Sequence, residues 1–196
     1  MLLAKFLSVR KKKNLSIELH PRASDAYHFF HSQPFIFDKA NLGIDALEAI
    51  QHGQIFSVIH PSTEKCFLFS GFEILGFSIS QFDIKQHIII VHENLTDTEI
   101  EFTAWAGVIR TILSSIQESQ LESFRKSFNE SAPDFIIEKL FSSKKVTQKH
   151  LAECTSLSIS GLKKQKKADV PELPEFVQNN VQSDIFEKLI NEKNRN

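Results

Sequence analysis

At 196 residues the chain is long enough to bury one full core and a small helical unit besides. Its 41% hydrophobic and 24% charged residues exclude a disordered chain, and two cysteines exclude a disulfide framework or a zinc finger of CxxC type. The formal net charge of −1 hides a segregation: residues 139–167 hold eight Lys against one acid, Glu153, so this window is +7 and the remainder −8.

The first residues, 1–6, are apolar but reach Arg10 and Lys11 to Lys13 too soon for a signal-peptide core, and no stretch approaches the roughly 18 apolar residues of a membrane span. The reading is a cytoplasmic protein without a membrane anchor. Ser16-Ile17-Glu18-Leu19 alternates with period two and stops at Pro21, which predicts a strand. A helix is expected over 23–31 and a second at 44–50, where Ile44, Leu47 and Ile50 share a face and Gly53 follows as the stop. Strands are expected at 55–59 and 66–69, joined by a turn through Pro61. After Ser70-Gly71 the stretch to Phe77 is read as the start of a helix.

The run 87–91, His-Ile-Ile-Ile-Val, is β-branched and too short for a helix, so it is the clearest buried strand. Thr96 and Glu99 form a Thr-x-x-Glu capping box opening a helix through Trp105 and Ile109 to about Ile116. Everything beyond reads as helix: 117–129 polar and amphipathic, then 133–141 with Ile136, Ile137 and Leu140 apolar. The 18 Phe against one Trp and one Tyr lack the polar handle of those two residues, so most Phe are assigned to the core. The fold class is α+β: an α/β N-terminal domain over 1–117, then an all-helical domain over 118–196.

The segment 146–165 has the spacing of a helix-turn-helix. A small residue, Ala152, sits where two helices would cross, Ser156-Leu157 supply the turn, and Leu162 is the apolar residue facing back. Thr147 can cap the first helix and Ser158 the second. Ser156 replaces the usual turn Gly, and Gln165 stands at a commonly apolar position. The rival reading is an ordinary helical hairpin with a solvated lysine face. The +7 charge favours DNA, because phosphate neutralisation with counterion release dominates affinity. Ser158, Ser160, Gly161 and Lys163 would begin the recognition helix, Thr147 and Gln148 the first helix, and Lys144, Lys145, Lys164, Lys166 and Lys167 would meet phosphates.

The run 50–55 with its Gly53-Gln54 turn, then Val58, Phe67-Leu68-Phe69-Ser70-Gly71, 87–91 and Leu95-Thr96-Asp97-Thr98-Glu99 resembles the N-terminal domain of the ParB family of partition proteins. Leu173-Pro174-Glu175-Phe176-Val177 is similar to a helix those proteins often carry after their helix-turn-helix. The resemblance implies a small ParB-like α/β domain followed by a helix-turn-helix domain, with the motif at about 146–167. It also implies a Gly-x-Arg-Arg stretch for nucleotide phosphates, but here Gly71 is followed by Phe72, Glu73 and Ile74. A carboxylate and an isoleucine there would repel or ignore a phosphate. Cys66 falls at the wrong end of its strand for sulfiredoxin-type chemistry.

Asp25, His28 and His31, at i, i+3 and i+6, are weighed as a metal trio and set aside as a polar face. No Gly-rich phosphate loop, Gly-x-Ser-x-Gly or His-Glu-x-x-His occurs. The sequence thus leads to a nucleoid-associated DNA-binding protein of partition or transcription-regulator type, not an enzyme, with no cofactor, no metal and no catalytic residue. Its partners are double-stranded DNA and, through Ile185, Leu189 and Ile190, a second copy in a homodimer. The alternatives are a nucleotide-dependent switch or nuclease on a ParB-like fold, and a helical adaptor.

Overall fold

Among the described residues, period-two and β-branched segments form most of a sheet of five strands: β1 (Ala4–Phe6), β2 (Ser16–Leu19), β3 (Ile55–Ile59), β4 (Lys65–Ser70) and β5 (Ile88–His92). Accompanying them are the helices α1 (Ser24–Ser32), α2 (Asp97–Ser115), α3 (Leu121–Ser131), α4 (Asp134–Phe141), α5 (Gln148–Cys154) and α6 (Ile159–Ala168). This computed structural model describes residues 4–8, 15–33, 43, 45–46, 49–50, 53–59, 65–74, 76–116, 118–155 and 158–168, without the side chains of 4 and 165–168. The expected helix at 44–50 and the segments holding Leu173 to Val177, Ile185, Leu189 and Ile190 lie wholly or largely outside the described residues.

The sheet runs β1-β5-β3-β4-β2 and is mixed. β5 lies parallel to β3 and β2 parallel to β4, while β1 on β5 and β3 on β4 are antiparallel. Phe56 is opposite Ile89, and Val58 opposite Leu68. All four are buried, so alternation in three neighbouring strands makes one continuous apolar face. α2 packs on β4, and α1 on α2.

Two expectations about the sheet half are corrected. Residues 4–6, given no strand by their sequence, pair with β5, with Phe6 opposite Ile90. Three residues are too few for periodicity to register, and long-range pairing decides them. The stretch from Phe72 to Phe77 begins no helix; its described residues are bends and turns leading to a 3-10 turn at Ile79–Gln81. Phe72 and Phe77 are both buried, an apolar demand that an irregular loop meets as well as a helix would.

The helical half joins the same core. Along α3, Phe124 and Phe128 are four apart and form one stripe, while Glu122, Arg125 and Asn129 form a second stripe beside it. The phenylalanine stripe meets α1 and α2: Phe29 lies 5.2 Å from Trp105 and 5.8 Å from Phe128, and Trp105 5.6 Å from Phe128, between ring centroids. This aromatic cluster crosses residue 117, where the sequence suggests a boundary. No helix among the described residues is long and apolar enough to cross a membrane.

Candidate nucleic-acid interface

The polar stripe of α3 holds the second half of the chain in place. Asn129 presents its side-chain amide to the backbone of Val146 as another peptide would: Val146 N–H donates to Asn129 Oδ1 at 2.8 Å, and Asn129 Nδ2 donates to Val146 O at 2.9 Å. Arg125 adds a bond from Nη1 to the same carbonyl at 3.2 Å. Its other two nitrogens fork onto Glu122, Nε donating to Oε2 at 2.9 Å and Nη2 to Oε1 at 2.7 Å. Glu122 is fully buried. Burial alone would raise its carboxyl, but the bonds from Arg125 and Gln148, with the charges of Arg125 and Lys126, hold it below its ordinary value.

With Val146 anchored and its side chain buried, Thr147 is set to start α5. Its hydroxyl accepts from His150 N–H, and its own N–H donates to His150 Nδ1 at 3.2 Å, a capping box with histidine in the usual place of glutamate. The His150 ring also stacks on Phe141, at 6.1 Å. Leu151 is buried and Ala152 partly buried against the core. Ser158 caps α6, its hydroxyl accepting from Gly161 N–H at 3.2 Å. Leu162 is fully buried, and α6 packs on both α5 and α3. α5 and α6 are thus a helical pair clamped onto α3, while the turn expected at Ser156-Leu157 lies outside the described residues.

The expected DNA residues distribute as follows. Lys144 and Lys145, in the loop before α5, and Lys163 and Lys164 on α6 are exposed. Exposed Lys149 sits 3.8 Å from Glu153. Ser158 and Ser160 are exposed and share a hydrogen bond at 2.9 Å, Gly161 is half-exposed beside them, and Lys166 and Lys167 belong to α6 with side chains outside the described residues. Thr147 is exposed with its hydroxyl engaged in the cap. Gln148 is turned inward: it is half-buried and its Nε2 donates to Glu122 Oε2 at 3.3 Å. Lys139, counted in the basic window, lies over the Phe102 ring of α2 at 4.0 Å instead of with the others.

Sequence reasoning missed the clamp residues Arg125 and Asn129. It also passed over Ile159, which is 42% exposed between the two serines. The i, i+3, i+7 spacing of Glu122, Arg125 and Asn129 was the available signal, but polar stripes at that spacing are ordinary on solvated faces.

In the sheet half, Gly71 follows β4 with φ at +103°, and a Cβ there would meet Ile55 O at 2.7 Å, so only glycine fits. Glu73 is buried; its Oε2 accepts from Gly71 N–H at 2.6 Å and its Oε1 from the Ser70 hydroxyl at 3.2 Å. Burial pushes its carboxyl above the ordinary range, against the pull of these bonds, its own N–H and Arg110. Ile74 is packed against the core. Burial also pushes the Cys66 thiol up to about 11, which leaves it protonated and unreactive at neutral pH. Asp25 and His28 line an open pocket with Phe29, Ser32 and Ser131, whereas the His31 ring lies 4.3 Å from that of Tyr27. Among the described residues no group of three or more His, Cys, Asp or Glu is arranged to hold a metal.

Comparison with protein-family models, with curated proteins and with solved structures gives no match.

Proposed function

We propose that this chain binds double-stranded DNA through α5 and α6, as a ParB-like partition or regulatory protein that acts as a homodimer and catalyses no reaction. The observation that carries the reading is the display of Lys144, Lys145, Lys149, Lys163 and Lys164 in water around a helix pair clamped onto α3, with Ser158 and Ser160 exposed at the head of α6. A helix pair held in this way can position a helix for the major groove, and its lysines would supply the sequence-independent part of the affinity. Glu73 supports the further reading that the sheet half does not handle nucleotides. The Gly71 N–H, which a phosphate would need, already donates to that carboxylate.

The test is a titration of a random-sequence duplex pool at several salt concentrations, beside thermal melting. If the five exposed lysines each meet a phosphate, log K falls against log salt with a slope of about −4 to −5. Lys163→Glu with Lys164→Glu lowers affinity and reduces that slope by about 2 while the fold is kept. Unchanged affinity in a folded double variant refutes the assignment.

A further inference from the structure

Resting on the DNA-binding reading, we infer that Ile159 selects the DNA sequence by packing against the 5-methyl group of a thymine in the major groove. α6 fixes where its side chains point. Leu162 is buried against the core, and the residues flanking it turn outward in two rows, one turn apart along each: Ile159 with Lys163, and Ser160 with Lys164. Ser158 caps the helix, so the Gly161 N–H of this first turn has an acceptor within the chain itself.

Ile159 is therefore an apolar side chain, 42% exposed, set among lysine and serine on the surface that would meet DNA. The lysines reach phosphates of any sequence, and the two serine hydroxyls, bonded to one another, discriminate bases weakly. An isoleucine gains only when an apolar group covers it, and the apolar group that a base pair presents in the major groove is the thymine methyl. The target is thus a duplex with a thymine at the base step met by the first turn of α6. Burial of one methyl is equivalent to about a three- to fivefold change in affinity.

The experiment is selection from a random duplex pool, followed by replacement of each thymine in the enriched duplex by deoxyuridine, which removes only the methyl. The wild-type protein is expected to lose about three- to fivefold at one position per half-site. Ile159→Ala is expected to bind thymine and deoxyuridine duplexes equally, and Ile159→Val to keep the preference. No sensitive thymine, or sensitivity that persists in Ile159→Ala, overturns the inference and leaves the DNA reading standing. Salt-dependent binding without any enriched sequence does the same. Absence of salt-dependent duplex binding overturns both.

Discussion

Glu73, in the loop leaving β4, lies directly over Gly107 of α2, and a methyl group at residue 107 would fall on the space its carboxylate occupies. The glycine sits in the interior of a 19-residue helix, where it costs about 1 kcal/mol against alanine in helix propensity. Here that preference is reversed by packing. Gly107→Ala is expected to destabilise by about 1 to 3 kcal/mol, since Glu73 would have to leave its hydrogen bonds with Gly71 and Ser70. Urea unfolding is the check, and a variant as stable as the wild type would mean that the loop moves freely off α2.

Glu73 also gives stability a pH dependence of definite sign. A carboxyl raised on folding contributes stability below its ordinary range and loses it as pH climbs through the raised value. Glu73→Gln keeps an acceptor for the Gly71 N–H and an amide for the Ser70 hydroxyl without a charge to bury. The variant should equal or exceed the wild type at neutral pH, with a flatter stability profile above the ordinary carboxylate range. Denaturation midpoints over a pH series decide it; a uniform loss at every pH would show that the charge itself is required.

The same loop bears on nucleotides. Calorimetry with CTP is expected to give no specific binding, because Glu73 takes the Gly71 N–H and Ile74 is packed inward. Micromolar binding would place a phosphate site on other residues and move the nucleotide-dependent switch ahead of the plain DNA reader.

What could be read from the sequence divides by the range of the interaction. Thr96 and Glu99 do form a capping box, and α2 ends within a residue or two of the expected stop, because caps and periodicity are local. β2 likewise matches its alternating run. β1 could not be read, since its three residues become a strand only by pairing with β5, more than 80 positions away. The inward turn of Gln148 depends on Glu122, which lies 26 residues earlier and is itself buried only through Arg125. A sequence scan expects charged residues in water, so the clamp was invisible to it.

Glu122 and Arg125 should therefore be among the most sensitive positions of the helical half. Removing one partner of a buried pair leaves an uncompensated charge and typically costs about 3 to 5 kcal/mol. Arg125→Met is expected to loosen α5 and α6, and Glu122→Leu with Arg125→Met to recover part of the loss, a non-additivity that a double-mutant cycle would show. In the wild type a carboxyl held low contributes stability above its ordinary value and loses it as pH falls through the lowered one. Acid should then detach the α5–α6 pair from α3, a change that Arg125→Met abolishes. Simple additivity of the two substitutions would sink the idea of a clamp.

Leu162 tests how independent the α5–α6 pair is. Its side chain is fully buried where α6 meets α5 and α3, whereas Ala152 is only partly buried. Leu162→Asp places an unpaired charge in an apolar site, at a cost of several kcal/mol, comparable to the whole stability of a small helical unit. Ala152→Asp should cost less, because its carboxylate has a route to water. The damage should stop at α3, whose Phe124 and Phe128 belong to the aromatic cluster with Phe29 and Trp105 rather than to the α5–α6 pair. Amide hydrogen exchange on Leu162→Asp should show protection lost from Thr147 to Lys164 and kept at Ile89 and Ile90 in β5. Loss throughout the sheet would show instead that the aromatic cluster makes α3, α6 and the strands one cooperative unit; full protection in α5 and α6 would mean that Leu162 does not hold the pair together.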